Sequence, residues 1–399
     1  MTDADRLHPR PDWPGVRLHV VTGKGGTGKT TVAGALALAL AGRPGPGGAA
    51  RRILLVEVEG RQGVAQLFDV PPVPYKERRI AVTQHGGEVW ALAIDAEQAL
   101  LEYLDMFYKL GPAARALKRF GAIDFATTIA PGIRDVLLTG KTCEAVRRRA
   151  DPSAQEPGPG RGGADQGAER SREQRAAEPA HGRIFHYDAV VMDAPPTGRI
   201  TRFLGVNAEV SGLAKVGPIR NQADAVMRVL TSPQTAVHFV TVLEEMPVQE
   251  TLDGFAELRD AGLPAGAVIV NQSRPVTLPR ARLEEAAAPG GLDPARFEGA
   301  LREVGLVNGR VPARGSGGGR AKAAKAGAAR TETKPTGKSP GADLAPALAA
   351  LGTDHARRVL LESGQLKALA SIDAPRYQLP MLAEGVDRVG LGMLSAELR

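Results

Sequence analysis

Val16 to Ala41 reads VRLHVVTGKGGTGKTTVAGALALALA. The run Val16 to Val21 is short, apolar and β-like, and it leads into a glycine-rich turn. Thr30 to Ala41 is small and aliphatic and reads as a helix. Between them Gly23, Lys24, Gly25, Gly26, Thr27, Gly28, Lys29 and Thr30 match GxxxxGK(S/T) in full, in the strand–turn–helix context that the motif requires. Glycines let backbone N–H groups crowd around a phosphate without a Cβ in the way. The helix start adds unpaired donors and a favourable dipole. The motif predicts that residues 23–30, with Thr31 beside them, bind the phosphates of ATP. Lys29 would reach the β- and γ-phosphates, and the Thr30 hydroxyl would sit on Mg²⁺.

Beyond this stretch, Ile53 to Val58 is a second apolar strand. Val89 to Ile94, Ala189 to Met192, Val237 to Leu243, Ala267 to Val270 and Tyr377 to Leu379 are further strand candidates, with helical patterns such as Gln249 to Ala261 between them. Uniformly apolar strands alternating with helices predict a doubly wound, mostly parallel sheet covered on both faces. The expected fold is thus α/β, a single P-loop domain over residues 15–399. Within it, residues 95–146 break the alternation with a helical region rich in Leu, Phe and Ile. That region reads either as ordinary packing on the core or as an adjustable surface for a partner or apolar client. Leu344 to Leu369 returns to a helical pattern, and Arg376 to Arg399 reads as a final strand, loop and helix.

Two segments cannot bury a core. Residues 151–180 are mostly Gly, Pro, Ala, Glu and Arg with almost no large aliphatic side chains, and read as a disordered insertion. Residues 311–341 hold seven basic residues and one acidic residue, within a chain whose formal net charge is +7. The basic balance therefore belongs to one low-complexity loop, leaving the remainder nearly neutral. That loop reads as a linker or as a weak electrostatic contact with nucleic acid or an anionic surface, and no specific nucleic-acid partner is expected. The start of the chain shows no signal-peptide core, and no 18-residue apolar run occurs. A cytoplasmic location is expected. The single cysteine, Cys143, can form neither an internal disulfide nor a cysteine-rich metal cluster.

A second motif narrows the reading. Asp193-Ala194-Pro195-Pro196-Thr197-Gly198, followed by Arg202-Phe203-Leu204, resembles the DTAPTGHTLRFL-type segment of the anion-transporting ATPases. These include the arsenite-pump-driving and tail-anchored-protein-guiding ATPases. The resemblance is closest to their actinobacterial branch. Ile53 to Val56 with Gln66 to Phe68, Val240 to Thr251, Val270-Asn271-Gln272 and Leu379-Pro380-Met381 resemble further segments of that family. The extra lysine of GKGGTGKT, Lys24, is similar to the one in the deviant Walker A loop of dimeric P-loop ATPases; its plain alternative is a solvent-facing loop lysine. The resemblance implies a dimer in which Lys24 acts across the interface on the partner's nucleotide. It implies that Asp193 helps hold Mg²⁺, that Pro195, Thr197 and Gly198 belong to a switch that senses the γ-phosphate, and that Asn271, Pro380 and Met381 meet the adenine. Strand-end and turn caps are the plain alternatives for Asp193 and Asn271.

The sequence departs from that family in one loop. Where its first switch reads STDPAxN, this chain has Glu57-Val58-Glu59-Gly60-Arg61-Gln62-Gly63. Glu59 falls on the aspartate that orients the attacking water, one methylene longer, and a shift of about 1 Å can cost on the order of a hundredfold in rate. Glu57 is an alternative water-positioning group, and surface ion pairs are the plain reading of both. The expected catalytic set is Lys24, Lys29, Glu59 and Asp193. The expected function is a Mg²⁺-dependent, nucleotide-gated dimeric switch for a hydrophobic client or membrane partner, as a homodimer or with a paralogous ATPase. Its rivals are a weakly hydrolysing regulatory subunit paired with such a paralogue, an arsenite-efflux motor, and a DNA-partitioning or cell-division positioning ATPase.

Overall fold

The computed structural model describes residues 13–108, 131–150, 184–213, 218–303 and 344–399. Eight strands form one sheet: β1 (Leu18–Gly23), β2 (Arg52–Glu57), β3 (Arg78–Val82), β4 (Glu88–Ala93), β5 (Ala189–Asp193), β6 (Thr235–Thr241), β7 (Ala265–Ser273) and β8 (Arg376–Pro380). Their order is β3-β4-β2-β5-β1-β6-β7-β8. All neighbours are parallel except β3 and β4. The doubly wound expectation therefore holds, and each expected strand is present within a few residues of its predicted bounds. β3 escaped the sequence reading because only Ile80 is buried in RRIAV. Charged residues on a sheet edge hide the apolar signal while discouraging pairing with another chain.

The described helices are α1 (Lys29–Ala41), α2 (Gly63–Leu67), α3 (Ala96–Tyr108), α4 (Pro131–Arg147), α5 (Thr197–Leu213), α6 (Pro218–Leu230), α7 (Glu245–Asp260), α8 (Arg280–Ala287), α9 (Pro294–Glu303), α10 (Leu344–Ala368) and α11 (Arg388–Ala396). Side chains alternate across each strand. Ile53 and Leu55 of β2 join the layer built with α1, α2 and α11. Leu54 and Val56 join the opposite layer with α4, α5 and α6. Burial on both faces explains why the central strands are apolar throughout. α1 is apolar all round because nearly all of it, from Val32 to Ala41, is buried.

The described residues group into two compact units, 1–274 with 365–399, and 275–364, where the sequence predicts one domain. The sheet lies in the first. In the second, Leu283 and Ala286 of α8 pack with Ala356 and Val359 of α10, and the Leu292 N–H donates to Thr353 Oγ1 at 2.9 Å. The helical region predicted at 95–146 is helical where described, in α3 and α4; residues 109–130 lie outside the described residues. So do the segments 151–180 and 311–341. Among the described residues, no helix is long and apolar enough to cross a membrane.

Candidate ATP site

In an open parallel sheet, ligands bind beyond the carboxyl ends of the strands, where neighbouring connections diverge. β1 lies between β5 and β6, and the predicted phosphate loop leaves its carboxyl end. An added Cβ on Gly23 would lie 2.1 Å from the Val240 carbonyl oxygen of β6, so only glycine lets the strand end run so close to its neighbour. Gly28 has φ 87°, and a Cβ there would meet Asn271 Nδ2 at 2.3 Å. Gly28 caps α1 with no side-chain acceptor, which leaves the first N–H groups of the helix for an anion. Gly25 and Gly26 at the rim are exposed, with open space around them. The loop is braced from below. Thr27 donates from its hydroxyl to the Lys24 carbonyl at 2.9 Å, and the Asn271 amide donates to the Thr27 carbonyl at 2.9 Å.

Lys29 and Thr30 open α1. The Thr30 hydroxyl donates to Asp193 Oδ2 at 2.6 Å, bringing the two residues predicted to organise a metal together at the ends of α1 and β5. Asp193 is buried, which pushes its carboxyl up to about 6. The Thr30 hydroxyl and Lys29 oppose that shift, and Glu57 and Glu59 add to it. Burial likewise lowers the Lys29 ammonium against the pull of Asp193 and Glu59. Glu57, at the end of β2, is the strand-register partner of Asp193. Its Oε1 accepts from the Gly63 N–H at 2.8 Å, while its buried Oε2 has no partner. Burial raises its carboxyl, and the N–H groups of Gly63 and Arg61 resist.

This donor set fits Mg²⁺ bound with a triphosphate. Magnesium takes one or two protein oxygens plus phosphates and water rather than a protein cage. The Thr30 hydroxyl and the adjacent Asp193 carboxylate supply those oxygens, and the bare buried Oε2 of Glu57 lies on the neighbouring strand end. Among the described residues there is no group of three His, Cys, Asp or Glu able to hold an ion without such help.

The remaining predicted residues fall into two places. Glu59 sits on the loop after β2, half-buried, with Arg61 Nε 3.5 Å from its Oε2. Thr31 is half-buried in the first turn of α1. Ser273 of β7 pairs with Pro380 of β8, and the Met381 N–H donates to the Ser273 carbonyl at 2.9 Å. That pairing sets Pro380 and Met381 beside the strand that carries Asn271. Asn271 itself is buried, with its amide committed to the phosphate loop.

Several contacts were invisible in the sequence. Lys24 forms an ion pair with Glu250 of α7 in its own chain. Gln62 holds the loop after β2 by exchanging two hydrogen bonds with the Val73 backbone, at 2.8 and 3.2 Å. Thr22 donates to the Pro195 carbonyl at 2.7 Å, tying β1 to the Asp193–Gly198 segment. Arg199, in the first turn of α5, lies 3.5 Å from Asp135 of α4. Both line a cavity of about 320 Å³ together with Glu59, Arg61, Arg134 and Pro195. Glu250 does lie in a stretch that resembles the family, but nothing local joins it to a lysine 226 residues away.

Residues 16–149 match the family described as Anion-transporting ATPase. ATPase BagA of Mycobacterium tuberculosis is 45% identical over 390 residues, covering 97% of this chain and 94% of its own length. A Mycobacterium bovis protein, also named as an ATPase, matches to the same extent. The phosphate loop, the Thr30–Asp193 contact and this full-length likeness agree: the chain belongs to the anion-transporting ATPase family, a family of ATP hydrolases.

Proposed function

We propose that the protein is a Mg²⁺-dependent, nucleotide-gated switch that works as a dimer in the cytoplasm. The contact between Thr30 and Asp193 beneath an open phosphate loop carries this reading. Bound there, Mg²⁺ would neutralise charge on the β- and γ-phosphates. Lys29 would stabilise the transferring phosphoryl group from its own chain and Lys24 from the partner chain. Glu59 would hold the attacking water after leaving Arg61. Asn271, Pro380 and Met381 would meet the base once Asn271 released Thr27. The Arg199–Asp135 contact offers a path from the Asp193–Gly198 segment to α4. Loss of the γ-phosphate would change the packing of the helical region through that path, and a hydrophobic client or membrane partner would respond.

A regulatory subunit paired with a paralogous ATPase is the second reading. It is favoured by the engagement of Glu59 with Arg61 and of Lys24 with Glu250. An arsenite-driven motor has less support, because Cys143 is buried and its thiol is pushed up to about 12, so it stays a neutral, poor soft-metal ligand. The deciding experiment is turnover and sedimentation of wild type and Lys24→Ala with ATP and Mg²⁺. Loss of one trans donor should lower turnover by about 10²–10³-fold with ATP affinity kept. Equal turnover in the two proteins would exclude a trans role for Lys24. No turnover in wild type until a paralogue is added would favour the regulatory subunit.

A further inference from the structure

The function proposed above gives Glu57 no role, yet it is the most buried carboxylate near the loop, 3% exposed. It ends β2 as Asp193 ends β5, and the two are register partners on neighbouring parallel strands about 4.8 Å apart. Register partners project to the same side of a sheet, so both carboxylates stand over the same end of the site. Thr30 shares that space. A Cβ on Gly63 would lie 3.6 Å from Thr30 Oγ1 and 3.7 Å from Glu57 Oε1.

The two oxygens of Glu57 differ. Oε1 holds the turn that starts α2, accepting from the Gly63 N–H at 2.8 Å. Oε2 is buried without a partner. A bare carboxylate oxygen beside a second carboxylate is costly unless a donor or a cation satisfies it. The Asp193 carboxylate already takes the Thr30 hydroxyl. Glu59, two residues on, is engaged by Arg61 on the loop.

We infer that Glu57 is a positioning residue for the metal: Oε2 accepts from a water in the coordination shell of Mg²⁺ while Oε1 holds the turn at Gly63. Metal occupancy and the conformation of the loop carrying Glu59 are thereby joined through one side chain. The inference rests on the reading of Thr30 and Asp193 as the Mg²⁺ site.

The test uses the full chain and Mn²⁺ as the probe. Mn²⁺ affinity of the protein–ADP complex is measured by electron paramagnetic resonance, and ADP affinity is measured separately in EDTA by calorimetry. Glu57→Gln keeps the shape and removes the charge. It should weaken Mn²⁺ binding by at least about tenfold, the usual loss for an outer-shell partner. ADP affinity in EDTA should stay within twofold of wild type, a separation that a merely structural role would not produce. Glu57→Ser, smaller and matching the residue type of the resembled switch, carries the same expectation should Glu57→Gln not fold. Unchanged Mn²⁺ affinity in the variant, or a parallel loss of ADP affinity in EDTA, would overturn the inference and leave the Thr30–Asp193 reading intact. Failure of wild type itself to bind Mn²⁺ with ADP would remove both.

Discussion

Lys24 and Glu250 form an ion pair in which each side chain is about one-third exposed. Such pairs contribute about 0–1 kcal/mol, because water screens them and two long side chains must be ordered. The pair is therefore weak enough to break if, as proposed, a partner's nucleotide offers Lys24 a stronger anion. Glu250→Gln should leave the thermal midpoint almost unchanged. If Lys24 acts in trans, the same variant should strengthen ATP-driven self-association by several-fold, read by sedimentation velocity with ATP and Mg²⁺. Unaltered association would show that the pair does not restrain the lysine. Individual side chains divide sharply in how legible they were. Lys29, Thr30 and Asp193 could be read from motifs because each motif is local. Glu250 and Gln62 could not, since their partners lie on other elements and nothing in their neighbourhood encodes the contact.

Pairing between strands creates chemistry that neither strand announces. β1 and β6 place His19 Nδ1 and His238 Nε2 3.0 Å apart, both rings fully buried and stacked. The Ala267 N–H donates to His238 Nδ1 at 3.1 Å. His238 Nε2 must then carry the proton and donate to His19 Nδ1, which leaves the His19 Nε2–H buried without a partner. Trp13 meets the His238 ring edge-on at 4.7 Å between centroids. Burial brings His238 down to about 3 and holds His19 well below its ordinary value. The unfolded chain takes up these two protons near pH 6.5 and the native chain does not. The His238 contribution to stability is thus complete above pH 6.5 and falls with pH down to about 3, and the His19 contribution falls in the same direction below pH 6.5. For His238 the loss is on the order of 1 kcal/mol per pH unit over that window.

Asp193 works in the opposite direction. Its raised carboxyl favours the native state below its unfolded value and loses that advantage as pH rises through about 6. Denaturant unfolding from pH 7 to pH 4.5 should therefore show a flatter pH dependence in His19→Asn/His238→Asn than in wild type. Identical slopes would mean that the rings are not held neutral. Asp193→Asn should make the acid loss steeper, and an unchanged slope there would argue against the raised carboxyl. The elements themselves were readable where apolar runs were continuous. β3 was not, because two consecutive arginines and an exposed Val82 leave Ile80 as its one buried side chain on the sheet edge.

Across the whole chain, the charge is unevenly distributed. Residues 311–341 carry almost all of the net charge of +7 and hardly any aliphatic side chains. Deleting them should leave turnover within about twofold of wild type, since their sequence offers almost no large apolar side chains to bury. The deletion should also abolish salt-sensitive retention on DNA or anionic vesicles, measured at 50 and 200 mM salt. Retention that survives the deletion would point to a folded basic surface and revive the positioning-ATPase reading. The grouping into two compact units was not visible in the sequence, because the helical patterns of 344–369 read alike whichever core they cover.

The amino-acid sequence by itself determined the phosphate loop, its lysine and hydroxyl, and the doubly wound parallel sheet. Each is encoded contiguously, by glycines where a backbone must approach closely and by unbroken apolar runs where a strand is covered on both faces. Only the tertiary structure decided that Glu57 stands beside Asp193, that Glu250 holds Lys24, and that Asn271 braces the loop from below. Those contacts depend on strand register and helix placement, which arise when distant segments pack together, and no local spacing specifies them.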